Sequence, residues 1–231
     1  MKRFLIVTGT DTGVGKTTLS VALLGAWAQL GQRVRPLKPI ETGLTERSDG
    51  SDAARLAAAA GFRDDEVSHL RFKSPVAPEA AAAAEGHLID PRQLVEHCRA
   101  VPGEQVLIEG AGGLLVPIAP GFVFADLAQA LEARLLVVGR TRLGTINHTL
   151  LTLAESQRRG LPLCGVILNR LSDEQGPEET DSVSLIATHG GVEPLGPFPF
   201  CSNPSPSVLA ELAHRHLPVA MLFERAFADH G

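Results

Sequence analysis

The sequence is poor in cysteine: Cys98, Cys164 and Cys201 are its three, widely spaced and odd in number. That excludes a disulfide framework, and without ligand-pair spacing it excludes a cysteine metal site, so free thiols in the reducing cytoplasm are expected. Long apolar runs are also missing. No stretch approaches the ~20 residues that a membrane helix needs. Phe4 to Val7, behind two basic residues, is too short for a secretory signal and has no small-residue cleavage site. Positive charge is not in excess either: 21 basic against 26 acidic side chains give a net charge of −5, which argues against a nucleic-acid partner. No Ser-His-Asp or Cys-His spacing points to a covalent nucleophile. Repeats and composition breaks are absent, so the 231 residues, 44% hydrophobic and 20% charged, read as one domain over 1–231.

What is present is a series of short continuous apolar runs: Phe4 to Val7, Val106 to Ile108, Leu135 to Val138 and Val166 to Leu168. Lacking alternation, they suit strands buried on both faces. Helical periodicity separates them, with Leu19, Ala22, Leu23, Ala26 and Trp27 on one face of Lys16 to Gln29. Ile146, Leu150, Leu153 and Ala154 share a face of Thr145 to Arg159. The pattern predicts an α/β fold with a doubly wound, mostly parallel sheet flanked by helices. Val34 to Leu37 reads as a weaker strand because Pro36 lacks a donor. The alanine runs at 57–60 and 80–84 read as helices. Asp173 to Asp181 reads as a polar surface connection, and the segment from Pro206 as a helix followed by a strand at Val219 to Phe223.

Residues 9 to 18 read Gly-Thr-Asp-Thr-Gly-Val-Gly-Lys-Thr-Thr between the first strand and first helix. Small residues let the backbone N–H groups of Thr12, Gly13, Val14, Gly15 and Thr18 curl around phosphate oxygens at a helix N-terminus. Lys16 would reach the β- and γ-phosphates of a nucleoside triphosphate, and the Thr17 hydroxyl would meet Mg²⁺. The usual first glycine of this loop is Thr10 here, which marks a deviant subgroup containing partitioning ATPases and amidoligase-type synthetases. The partitioning ATPases carry a signature lysine where this chain has Asp11.

Four further clusters follow. Lys38-Pro39-Ile40-Glu41-Thr42-Gly43 ends the second strand, where open parallel sheets bind ligands. Lys38 either neutralises a developing anion or is a surface lysine before a turn, and Thr42 offers a hydroxyl. Asp52, in Ser51-Asp52-Ala53, reads as a helix cap or a Mg²⁺ ligand, and taken alone as the cap. Glu109 ends a buried strand and precedes Gly110, Ala111, Gly112 and Gly113. A carboxylate there suits Mg²⁺, and the small residues allow a nucleotide close to the backbone. Leu143-Gly144-Thr145-Ile146-Asn147-His148 opens a helix whose free N–H groups suit a carboxylate. His148 reads as a packing residue.

Together these motifs closely resemble the dethiobiotin synthetase family over nearly the whole chain. The resemblance implies a P-loop NTPase fold and an ATP- and Mg²⁺-dependent ligase that converts 7,8-diaminopelargonic acid and CO₂ into dethiobiotin, the penultimate step of biotin synthesis. It implies Lys16 on the transferring phosphoryl and Lys38 on a carbamate. Thr17, Asp52 and Glu109 would hold Mg²⁺, with Thr42 on the substrate. A homodimer is implied, in which Gly144, Thr145, Ile146 and Asn147 of the neighbouring subunit hold the substrate carboxylate. Asn169, Pro199 and Phe200 are implied at the adenine. Ser205 stands where some members carry an acidic residue.

Two rivals remain at this point. Cobyrinic acid a,c-diamide synthetases usually append a glutaminase domain, for which the sequence leaves no room. A partitioning-type switch ATPase would want the signature lysine and a basic or amphipathic surface segment.

Overall fold

The apolar runs lack alternation because their side chains divide between two cores. In β1 (Arg3–Gly9), Leu5 and Val7 join one core while Phe4 and Ile6 join the other. In the computed structural model, which describes residues 2–44, 50–174, 176, 178–202 and 204–227, this pattern recurs along the chain. The strands are β2 (Arg35–Glu41), β3 (Ser68–Arg71), β4 (Gln105–Gly113), β5 (Pro117–Ala119), β6 (Phe122–Val123), β7 (Arg134–Arg140), β8 (Leu163–Asn169) and β9 (Leu195–Phe198). Seven of them form one sheet in the order β3-β2-β4-β1-β7-β8-β9, with β5 and β6 as a separate pair. Every ladder of the large sheet is parallel. The doubly wound α/β fold expected from the pattern is the fold observed.

Helices α1 (Lys16–Gln29), α2 (Asp52–Ala60), α3 (Pro78–Ala84), α4 (Pro91–Ala100), α5 (Phe124–Ala130), α6 (Thr145–Arg158), α7 (Glu178–Gly190), α8 (Pro206–His216) and α9 (Val219–Phe227) cover both faces. The core on one face takes α1, α2, α8 and α9. The other face takes α3, α4 and α5 over one half of the sheet and α6 and α7 over the other. Among the described residues no helix is long and apolar enough to cross a membrane.

Four expectations are corrected. β2 is not weak: all seven of its residues are buried. Lys38 donates its N–H to Val67 on the β3 side, so by alternation the missing donor of Pro36 faces the same side, before β3 begins opposite Lys38. That of Pro39 faces β4 beyond the last pair, Leu37 with Ile108. Pro36 therefore removes no ladder bond, and the β4 ladder ends where Pro39 has no donor to continue it. Second, α1 is buried nearly all round, with Ser20, Val21 and Leu24 as covered as its expected face. Third, α6 keeps Leu153 and Ile146 of the expected stripe against the core, leaves Ala154 exposed, and buries Thr145, Thr149 and Ser156 as well. The two threonine hydroxyls sit over Gly139, where a Cβ would come within 3.4 Å of both, so a small strand residue admits a polar helix face. Fourth, the stretch 219–223 is helix, because Val219, Leu222, Ala226 and Phe227 fall on one buried helical face. The 173–181 connection enters α7 at Glu178, and Gln175 and Pro177 lie outside the described residues.

Trp27 joins the last helix to the first. It is fully buried, donates its indole N–H to the Val219 carbonyl at 2.8 Å, and meets the rings of Phe223 and Phe227 edge-on. Trp27→Ala is expected to destabilise by about 3–5 kcal/mol, read by urea unfolding followed by circular dichroism. A cost inside the roughly ±0.5 kcal/mol of surface changes contradicts this packing.

Candidate active site

β2, β4 and β1 are neighbours, so the segments leaving their carboxyl ends converge. Val7 pairs with Glu109 and Leu37 with Ile108, which sets Lys38, Glu109 and the phosphate loop side by side. The loop turns through Gly13 at φ 73° and Gly15 at φ 95°, the latter being the N-cap of α1. Both values belong to the left-handed region that favours glycine. A Cβ at Gly15 would run into the Asn169 amide, while one at Gly13 would meet nothing within 4 Å. The loop is therefore braced from beneath and open above. Asn169 supplies the brace, donating its amide to the Val14 carbonyl at 3.0 Å, and its Oδ1 is buried with no partner.

A buried charge cluster fills the angle between the strands. Lys38 is 3% exposed, which rules out the surface-lysine alternative. Its Nζ donates to Glu109 Oε1 at 2.7 Å, to Asp52 Oδ2 at 2.9 Å and to the Gly110 carbonyl at 3.3 Å, using all three of its donors. The Thr17 hydroxyl lies 2.7 Å from Asp52 Oδ1 and 2.8 Å from Glu109 Oε1, and with one hydrogen it donates to one at a time. Asp52 is not the helix cap expected of it in isolation. Ser51 fills that role by accepting from Ala54 N at 3.0 Å, which leaves the Asp52 carboxylate for Lys38 and Thr17.

The electrostatics follow from burial and pairing. Burial works against the charged form of Lys38, yet the carboxylates of Glu109 and Asp52 outweigh it and hold the ammonium above the usual lysine range. Burial likewise opposes the Asp52 charge, and Lys38 with the Thr17 hydroxyl overcomes it, so Asp52 lies below the usual aspartate range. Lys16 is lowered, first by burial and then by the charge of Lys38. Burial pushes Glu41 up, with Lys38 opposing.

A cavity of about 410 Å³ opens above this cluster. The phosphate loop from Thr12 to Thr18 lines it, save the fully buried Val14, and so do Lys38, Thr42, Asp52, Ala111 and Gly112. Glu109 is fully buried, and Gly110 follows it on β4. The residues expected at the adenine lie outside the cavity: Asn169 supports Gly15, and Pro199 and Phe200 follow β9. Gly144, Thr145, Ile146 and Asn147 open α6 and do not line the cavity either. Sequence reasoning missed Glu41, Arg55 and Leu171, which do line it. A glutamate ending a buried strand was available as a signal for Glu41, as it was for Glu109. Nothing in the sequence marks Arg55 or Leu171. The polar loop ahead of Ser51 lies largely outside the described residues.

The donor set suits Mg²⁺. Two carboxylates and a hydroxyl meet at one corner, and Glu109 Oε2 is buried without a partner. Among the described residues no group of three His, Cys, Asp or Glu is placed to hold a metal alone. A sparse oxygen set fits an ion that keeps water and phosphate oxygens as its other ligands. Asp11, in place of the switch-ATPase lysine, sits 3.6 Å from the Arg140 guanidinium.

A pH prediction follows for the metal-free protein. With Asp52 lowered and Lys38 raised, the stability of their pairing is complete between the ordinary values of about 3.9 and 10.4. It is lost as pH falls through the lowered Asp52 and as it rises through the raised Lys38. Asp52→Asn should flatten the acid limb of urea-measured stability in EDTA and shrink the alkaline limb, where Glu109 alone is left to hold Lys38 up. An unchanged acid limb contradicts the pairing.

Comparison with known proteins places this geometry in a lineage. An AAA domain family model matches residues 3–206. The ATP-dependent dethiobiotin synthetase BioD of Anaeromyxobacter dehalogenans (strain 2CP-C) is 43% identical over 202 residues, which cover 86% of this chain and 90% of that one. The protein of the same name from Bacillus subtilis (strain 168) is 30% identical over 227 residues, 96% and 98% of the two chains. Among solved structures, a ParA family ATPase from Chlorobium tepidum TLS matches at a TM-score of 0.59 and 14% identity, covering 97% of each chain. The MinC:MinD cell division protein complex of Aquifex aeolicus matches at 0.57 and 18%, covering 99% of this chain and 97% of that one. At those identities the two structures share the fold alone. Similarity across nearly the full length of both dethiobiotin synthetases is a different matter, and by it this chain belongs to the ATP-dependent dethiobiotin synthetase family.

Proposed function

We propose that the chain is a cytoplasmic, single-domain ligase that uses ATP, Mg²⁺ and CO₂ to close a cyclic urea on 7,8-diaminopelargonic acid, giving dethiobiotin, ADP and phosphate. The observation that carries this reading is the buried Lys38 held between Asp52 and Glu109 at the floor of the phosphate-loop cavity. One substrate amine captures CO₂ as a carbamate and releases a proton. The γ-phosphoryl of ATP passes to a carbamate oxygen, giving a carbamic–phosphoric anhydride. The second amine attacks the anhydride carbonyl, loses its proton and expels phosphate. Anionic charge gathers at each stage, so the protein's contribution is positional and electrostatic.

In this reading the backbone N–H groups of Thr12 to Thr18 cradle the phosphates and Lys16 meets the transferring phosphoryl. Lys38 takes the carbamate, exchanging a carboxylate contact for it, and Thr42 touches the diamine. Thr17, Asp52 and Glu109 hold Mg²⁺, which supplies charge neutralisation at the phosphates. Gly110, Ala111 and Gly112 leave room for the nucleotide, and Asn169 with the Pro199-Phe200 turn receives the adenine. The start of α6, Gly144 to Asn147, serves the substrate carboxylate of a second subunit in a homodimer. Exposure of the apolar Leu115, Leu143 and Leu151 supports such a contact.

Phosphate release from MgATP should require both diamine and bicarbonate, and mass spectrometry should find the cyclic urea. Release indifferent to the diamine would remove the substrate assignment. Lys16→Gln loses a charged hydrogen bond of roughly 1.5–3 kcal/mol, so turnover should fall at least about tenfold. Lys38→Ala should spare ATP binding and suppress product. Equal loss of both would contradict the division of roles between the two lysines.

A further inference from the structure

Glu41 has no part in the chemistry above, yet it is buried at the end of β2 beside the cavity. Its Oε1 accepts from Asp52 N at 2.6 Å and Ala53 N at 3.4 Å, the first two backbone donors of α2. Ser51 Oγ takes the next, Ala54 N. A carboxylate is well placed there, because a helix N-terminus carries free N–H groups and partial positive charge. The side chain of Glu41 thus links directly two elements that are eleven positions apart in the sequence.

The residue at the far end of this tether is the one that counts. The same Asp52 whose N–H is held by Glu41 presents its carboxylate to Thr17 and Lys38. Lys38 and Thr42 lie on or next to the strand that Glu41 ends. We propose that Glu41 is a positioning residue. It locks the first turn of α2 to the end of β2, so that Asp52 meets the Thr17–Glu109 corner at the right distance for a divalent cation. The inference rests on the Mg²⁺ assignment above and adds a residue that acts through Asp52 without touching the metal. Ser51 caps the same turn without gripping Asp52, so the two anchors have separable effects.

The test is calorimetric titration of the full chain with ADP, once with Mg²⁺ and once in EDTA. Partners of a metal ligand typically govern about 10–100-fold in metal affinity or activity. Glu41→Ala should therefore weaken Mg–ADP at least about tenfold and leave ADP in EDTA unchanged. Glu41→Gln, whose amide oxygen still accepts from Asp52 N, should recover most of the loss. Ser51→Ala should keep the wild-type ratio of the two affinities. If Glu41→Ala does not fold, Glu41→Met, which fills the space without an acceptor, takes its place with the same expectations. A Glu41 variant with the wild-type ratio overturns the proposal, as does a Ser51→Ala that reproduces the loss. A wild-type chain that binds ADP in neither condition would instead remove the nucleotide assignment itself.

Discussion

The site depends on one buried ammonium. Lys38 lies below the surface with its charge answered by two carboxylates, and removing such a group from water costs several kcal/mol before any attraction is recovered. The arrangement closes only because Glu109, Asp52 and the Gly110 carbonyl together occupy every donor of the ammonium. Breaking a buried pair of this kind typically costs about 3–5 kcal/mol, since the surviving charge has no water to turn to. Apolar residues would fill the same space at lower cost. In the proposed reaction the cluster is a pre-set field at the floor of the cavity, in which one carboxylate contact of Lys38 gives way to the carbamate.

The fold exists around that field in a specific sense. Parallel order puts the carboxyl ends of β2, β4 and β1 on one edge, so a lysine, a glutamate and a phosphate loop from three distant stretches arrive together. α2 supplies the fourth element. Its first turn is gripped by Ser51 and Glu41, and its position fixes Asp52. The packing of α1 against α8 and α9, with Trp27 between them, holds the helix whose first residues are Lys16 and Thr17. Stability of the far core and geometry of the phosphate loop are thus carried by one helix.

Much of this was legible in the residues. The spacing of Gly13, Gly15, Lys16 and Thr17 marks a phosphate loop because few other chemistries need that order of small and cationic residues. The glutamate ending the Val106–Ile108 run was informative because a buried strand has no cheap place for a charge. What misled was context. Asp52 in isolation reads as a cap, since the neighbouring Ser51 could not be ranked against it without knowing that Lys38 and Thr17 lay opposite. Pro36 reads as weakening its strand until its missing donor is seen to face a gap in the ladder. The 219–223 stretch is equally apolar as strand or helix, and the Trp27 indole, 192 positions away, is among the contacts that hold it as helix. The stripe assigned to α6 held at Ile146 and Leu153 but not at Ala154, and it left out Thr145 and Thr149, which Gly139 admits to the buried face.

The central claim is that Lys38 and the Thr17–Asp52–Glu109 corner divide the work between carbamate and metal. A crystal structure with Mg²⁺, a non-hydrolysable ATP analogue, the diamine and bicarbonate tests it most directly. The account predicts a metal within about 2.0–2.1 Å of its oxygen ligands at the Thr17–Asp52–Glu109 corner, and Lys38 Nζ in hydrogen-bond contact with a carbamate oxygen. A metal elsewhere, or a carbamate out of reach of Lys38, would contradict it.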